Sequence, residues 1–387
     1  MSGNNHEICF IVPPQMVESI SEHGNDVQRE RIAETAEASD QIRTERAALT
    51  LAPMPATGPA KNRNVNDAQN GFLLPGQIVR TEGSASSGDA AVDEAYDGTG
   101  STYDLFLDEY SRDSMDDNGM DLVSSVHYRV GYDNAFWNGQ QMAYGDGDED
   151  LPEADRIFNR FTVLDITGHE MAHGVIQHTA GLVYQDQPGA LNESFADVFG
   201  SLVKQKVRSQ TADQADWIIG EGLFTPNVNG VGIRSLKAPG TAYDDPVLGK
   251  DPQPAHMDDY VNTTSDNGGV HINSGIPNHA FYLTAVALGG NAYDKAGRVW
   301  YKTLSEKLDP QSQFQQAAQA TVDSAGELFG DGSTEQRAVC DAWGNVGIQV
   351  VCPDEQPSPE PVPPEPEPEP EADTNWCRRV LNRILGR

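Results

Sequence analysis

The sequence predicts an α+β chain, on three observations. Strand-like and helical patterns both occur between residues 71 and 352, with no internal repeat. A Pro/Gly/Asn-rich run at 52–70 separates this body from a helix-like N-terminal zone. Beyond 353, nine prolines and eight acids within 353–373 form a stiff, solvated polyproline-type spacer.

The elements follow in order. Ile8-Cys9-Phe10-Ile11-Val12 is a short apolar run stopped by Pro13-Pro14, and 15–48, rich in Glu, Ala, Gln and Arg, reads as helical. Ser124–Tyr128 reads as a strand, and Phe161–His178, Glu193–Val207, Pro277–Leu288 and Lys295–Leu308 as helices. At the C-terminus Val380, Leu381, Ile384 and Leu385 keep helical spacing opposite arginines, which leaves open membrane contact by the tail or a frayed end.

Composition excludes several classes. Among 387 residues, 26 Lys+Arg against 59 Asp+Glu give a net charge of −33, a surface that repels phosphate, so no nucleic-acid partner is expected. With only eight lysines, the body resembles a salt-adapted surface or is simply acidic for solubility. Four cysteines rule out a disulfide scaffold, Cys340 and Cys352 being able to pair locally. No apolar run approaches the roughly 20 residues of a spanning helix. The first basic residue is Arg29, so the expectation is a protein that stays inside the cell or leaves by a route without an ordinary signal.

The chemistry is carried by His169-Glu170-Met171-Ala172-His173. On a helix, residues four apart share one face, so both imidazoles reach one metal ion while Glu170 is rotated toward a water beside it. Val163, Leu164, Ile166, Val175 and Ile176 flank the motif and bury the helix. Twenty residues after His173, Asn192-Glu193-Ser194-Phe195-Ala196-Asp197 places two carboxylates four apart. One of Glu193 and Asp197 completes a His₂-carboxylate zinc site, and the other accepts the outer N–H of a ligand histidine.

These blocks resemble the thermolysin-like neutral metallopeptidases. So do Asn134-Ala135-Phe136-Trp137-Asn138-Gly139, Tyr144-Gly145-Asp146-Gly147-Asp148 and Asp266 through Ile276, the likeness covering about 70–352 in collinear order. It implies two lobes: a β-rich N-terminal lobe at 71–183 that includes the zinc helix, and a mainly helical C-terminal lobe at 184–352. It further implies zinc on His169, His173 and Glu193, Glu170 as general base to a zinc-bound water, and Asp197 orienting a histidine. Tyr184 and His271 are then donors to the substrate carbonyl, with Asp266 steering His271. Asn134, the Ala135 carbonyl and Arg234 hold substrate backbone. Ile166, Leu223 and Ile233 line a primed-side pocket for bulky apolar residues. The implied function is a zinc endopeptidase acting on peptides or proteins; the rival from another class is a catalytically silent zinc-binding or adhesion protein.

Calcium is the point of departure. Asp165, Asp216 and Glu221 match family calcium ligands, but Lys204 and Ile218 replace two further acids of that site. The double site is expected to be lost, with a single remaining calcium left open.

Ile11-Val12-Pro13-Pro14-Gln15-Met16, with Ile20 and Glu22-His23-Gly24, resembles the short propeptide of the protealysin subgroup. The expected organisation is therefore a propeptide over 1–50, a connector over 51–70, the two lobes, and a tail over 353–387. The resemblance implies a self-processing zymogen, extracellular by family. Cys9 invites a zinc-blocking role but is expected to pack as an apolar cysteine.

Overall fold

The structure is a computed structural model and describes residues 8–48, 60–353 and Gly386. The polyproline spacer and amphipathic end, like the 49–59 run, lie outside the described residues. Among those residues no helix is long and apolar enough to cross a membrane.

The N-terminal zone forms a two-residue strand β1 (Cys9–Phe10), then α1 (Pro14–His23) and α2 (Asp26–Ala48). Proline suits the first turn of α1, where its missing N–H has no helical partner. Gly24, whose N–H bonds to the Ile20 carbonyl at 2.8 Å, ends α1, so the zone is two helices rather than one.

A six-stranded mixed sheet follows, built from β2 (Arg63–Asp67), β3 (Gln77–Thr81), β4 (Leu122–Val126), β5 (Ala135–Trp137) and β6 (Met142–Tyr144) together with β1. Its spatial order is β1-β5-β6-β4-β2-β3. Here the structure departs from the sequence reading: β2 lies inside the run expected to be a connector. The strand is polar, yet it pairs in parallel with β4 and antiparallel with β3, and buried Asn66 donates to the Ser124 carbonyl at 3.2 Å. Backbone pairing on both sides holds a segment whose composition argues for a loop.

α3 (Ala90–Tyr110) packs on the sheet, its N-terminus capped by Asp89, which accepts from the Val92 N–H. α4 (Leu164–Gln177) and α5 (Asp186–Arg208) form the central helix pair. They cross closely at Gly168 and Gly200: a Cβ on Gly168 would sit 3.0 Å from Gly200 Cα, and one on Gly200 2.5 Å from the Asp165 carbonyl. Only glycine at both places allows this approach, which sets the carboxylates of α5 against the histidines of α4.

Two short strands, β7 (Ile218–Ile219) and β8 (Arg234–Ser235), pair beside α5. The remainder is helical: α6 (Asp266–Asn273), α7 (Gly275–Leu288), α8 (Ala296–Glu306), α9 (Phe314–Phe329) and α10 (Thr334–Asn345). A disulfide joins Cys340 to Cys352. The result is a sheet-containing N-terminal part and a mainly helical C-terminal part around one apolar core that runs through α3, α4, α5 and α7.

Candidate active site

The i, i+4 spacing on α4 brings His169 Nε2 and His173 Nε2 to 3.0 Å from each other. Glu193, from α5, approaches them at 3.5 and 3.6 Å. All three side chains are buried. The outer nitrogens are held too: His169 Nδ1 faces Asp197 Oδ1 at 2.9 Å, and His173 Nδ1 pairs with Asn192 Oδ1 at 2.9 Å. Asn192 stands in the same motif as Glu193, but sequence reasoning assigned it no role. Its position one residue before Glu193 on α5 was the available signal.

Two imidazoles and a carboxylate converge with Glu193 Oε2 lacking any hydrogen-bond donor among the described residues, and so do both oxygens of fully buried Glu170. Leaving such groups orphaned in a dry interior is costly, and a cation resolves it. Nitrogen and oxygen donors in this number suit zinc with one position open. The electrostatics agree with two distinct carboxylates. Burial alone raises Glu193, but His271, His169, His173 and Arg234 around it overcome this and hold it below its ordinary value. Burial pushes Glu170 well above its ordinary value, helped by the nearby charge of Glu193. Burial and the neighbouring His169 lower His173 to about 3, so it stays neutral and able to ligate.

Around this centre lie the remaining predicted residues. Tyr184 Oη donates to Glu193 Oε1 and lies 3.1 Å from His271 Nε2. Asp266 takes the His271 ring at 2.6 Å through Nδ1 and the His271 backbone N–H at 2.8 Å. Burial alone would lower His271, but Asp266 and then Glu193 reverse this and raise it to about 9. Both ring nitrogens therefore donate. The local backbone makes this possible: Asp266, Asn267, Gly268 and Gly269 all have positive φ at the head of α6. A Cβ on Gly268 would lie 2.1 Å from Asp186 Oδ1.

Arg234, on β8, forks onto Asp197, and Asn278 from α7 adds a 2.8 Å bond to the same carboxylate. Ile166, Leu223 and Ile233 are fully buried. The cleft is crossed by the chain's own N-terminal segment. β1 runs antiparallel to β5, with Cys9 opposite Trp137 and Phe10 opposite Phe136. The Phe10 carbonyl accepts from His271 Nε2 at 2.8 Å, and the Ile11 N–H donates to the Ala135 carbonyl at 3.2 Å. Arg234 Nη1 donates to the Ile11 carbonyl at 3.3 Å, and the Val12 N–H donates to Asn134 Oδ1 at 3.0 Å. This occupancy was not legible from residue spacing.

The three acids matched to calcium ligands surround a side-chain cation instead. Lys204 Nζ lies 2.9 Å from Asp165, 2.8 Å from Asp216, 2.6 Å from the Ile218 carbonyl and 3.8 Å from Glu221. Arg208 binds Asp216 and Glu221 from outside, at 3.3 and 2.5 Å.

The profile of the thermolysin metallopeptidase catalytic domain matches residues 41–177, and that of the alpha-helical domain of thermolysin metallopeptidases matches 180–348. The chain is 48% identical over 351 residues to an extracellular metalloprotease of Pectobacterium carotovorum subsp. carotovorum, covering 89% of this chain and 97% of that protein. It is 40% identical over 293 residues to a thermolysin of Bacillus sp. (strain EA1), covering 73% of this chain and 50% of that one. Among solved structures it is similar to the precursor of protealysin, a metalloproteinase from Serratia proteamaculans. That match has 51% identity and a TM-score of 0.79, covering 88% of this chain and 99% of the other. The chain belongs to the thermolysin family of metallopeptidases, in its protealysin-like group, and is a neutral zinc metalloendopeptidase.

Proposed function

We propose that the chain is the precursor of an endopeptidase that cleaves before bulky apolar residues and removes its own N-terminal segment. His169, His173 and Glu193 hold the zinc, which when bound supplies Lewis acidity toward a water molecule and a peptide carbonyl. Glu170, with both carboxylate oxygens buried and lacking a hydrogen-bond donor among the described residues and its proton affinity raised, takes a proton from the attacking water and returns it to the leaving nitrogen. Tyr184 and His271 donate to the oxygen on which negative charge grows, and Asp266 positions the His271 ring. Asp197 and Asn192 orient the ligand histidines.

The observation that carries this reading is the binding mode of residues 10–12. Their backbone bonds to Ala135, Asn134, Arg234 and His271, the groups expected to hold a substrate, so the segment lies as a bound peptide would. It sets Phe10–Ile11 at the catalytic groups, with the Ile11 side chain fully buried. A bulky apolar residue after the reacting bond fits that arrangement. Residues 1–50 then act as an inhibitory propeptide.

The remaining readings rest on separate supports. Lys204 and Arg208 offset two of the three charges of Asp165, Asp216 and Glu221, and the Lys204 ammonium sits among these acids, which supports loss of calcium binding there. A location outside the cell is supported by the relatives named extracellular and by the Cys340–Cys352 disulfide.

Glu170→Gln tests the whole. The variant keeps about one zinc per chain but loses nearly all casein hydrolysis. By intact mass the wild type acquires a new N-terminus in the 46–60 region and the variant keeps residues 1–50. A Gln variant that digests casein at near wild-type rate overturns the mechanism, and a fully active enzyme still carrying Met1 overturns the maturation.

A further inference from the structure

The segment that crosses the cleft resembles a substrate, so its survival needs an explanation. β1 supplies one through its register. Side chains alternate across a strand, and Ile8 and Phe10 join a cluster with Tyr128, Tyr132 and Phe136 on one face. Cys9 is thereby forced to the opposite face, where it is buried against Tyr184 and Val270. That face is the one toward the metal ligands. Cys9 Sγ, a ring nitrogen of His173 and a carboxylate oxygen of Glu193 all lie within 4.8 Å of one another. Four backbone bonds from Phe10, Ile11 and Val12 fix the strand, so the sulfur cannot slide along the cleft without breaking them. Glu193 Oε2, fully buried and without a donor among the described residues, points to a cation in the same place.

We propose that the Cys9 thiolate is the fourth zinc ligand of the precursor, closing the position that a catalytic site keeps open. The proposal rests on His169, His173 and Glu193 being the zinc site. Thiolate is a favoured zinc ligand, and a site with four protein ligands is of the structural, unreactive kind. As the sulfur–zinc bond forms, the thiol proton leaves to solvent. When the segment departs, the sulfur is reprotonated and water takes its place. No electrons are transferred. The sulfur thus occupies the station of the attacking water, which leaves the Phe10–Ile11 bond intact although it lies against His271. Packing and ligation are compatible: Cys9 is buried with Tyr184 and Val270, and its sulfur stays within 4.8 Å of ligand atoms of His173 and Glu193.

The test uses the full-length Glu170→Gln precursor with Cys377→Ala, so that Cys9 is the remaining thiol, loaded with cobalt in place of zinc. The expected spectrum contains a near-ultraviolet thiolate-to-cobalt charge-transfer band, which Cys9→Ser abolishes while still binding one cobalt. X-ray absorption of the zinc-loaded precursor, which needs no change at Cys9, is expected to show one sulfur at about 2.3 Å. Cobalt bound with no such band, or zinc with only nitrogen and oxygen neighbours, overturns the proposal and leaves the zinc site standing. Failure to bind cobalt at all overturns the zinc site, and this proposal with it.

Discussion

Arg234 and Asp197 form a bidentate pair, Nε and Nη2 each 2.8 Å from a carboxylate oxygen, with neither side chain more than 2% exposed. Asp197 in turn faces the outer nitrogen of His169 at 2.9 Å. Arg234 therefore touches both ends of the site: it anchors the carboxylate behind His169, a proposed zinc ligand, and it donates to the Ile11 carbonyl in the cleft. Replacing it with methionine leaves a buried carboxylate uncompensated. We expect Arg234→Met to cost about 3–5 kcal/mol in denaturant unfolding. Zinc affinity, measured by chelator competition, is expected to fall about 10–100-fold. Wild-type values for both would reduce Arg234 to a substrate contact.

Lys204 sits among Asp165, Asp216 and Glu221, the acids that the sequence matched to calcium ligands. Its ammonium is charged despite burial, because Asp165 and Asp216 outweigh the loss of solvent. Lys204→Met strands Asp165, which is 1% exposed, and is expected to cost about 3–5 kcal/mol of stability. Added calcium is expected to leave the melting temperature of the wild type unchanged. A calcium-dependent rise in that temperature would place an ion among these acids after all.

His271 bonds to Asp266 on one side and to the Phe10 carbonyl on the other, as a donor to a substrate carbonyl would. His271→Ala is expected to lower kcat on the order of 100-fold with KM and zinc content little changed. Asp266→Asn does the same more mildly, since the ring keeps an acceptor but loses the charge. An unchanged kcat with a lowered melting temperature would make His271 a packing residue.

His127 lies between Asp146 at 2.8 Å and Asp89 at 3.2 Å, remote in role from the catalytic groups. The hydrogen bond to Asp146, opposed by burial and aided by both carboxylates, raises it to about 9. Its unfolded value is about 6.5. The folded state thus holds the proton more tightly, so the stabilisation is complete below about pH 6.5 and disappears as pH rises through about 9. Melting temperature should fall more steeply over that interval in the wild type than in His127→Gln. Parallel curves for the two proteins would exclude the linkage.

The side chains that we propose as zinc ligands could be grouped from the sequence because their geometry is local. Helical periodicity alone puts His169 and His173 on one face and makes Glu193 and Asp197 neighbours on the next helix, in buried surroundings read from flanking Val, Ile and Phe. The same holds for the helices built on strong apolar patterns, such as α4, α5 and α7. β2 escaped notice for the opposite reason: Arg63-Asn64-Val65-Asn66-Asp67 has little strand character of its own and is ordered by partners on β3 and β4. The occupied cleft is the extreme case. Phe10 meets His271 across 261 residues, Val12 meets Asn134 across 122, and Cys9 reaches His173 and Glu193 only because the pairing of β1 with β5 fixes which face it takes. Lys204 carries its meaning in the same way, since an ammonium 39 residues from Asp165 becomes a counter-ion only when α4 and α5 cross at Gly168 and Gly200. Spacing along a helix is written in the covalent chain; contacts between distant segments exist only once burial and backbone pairing have chosen a single fold.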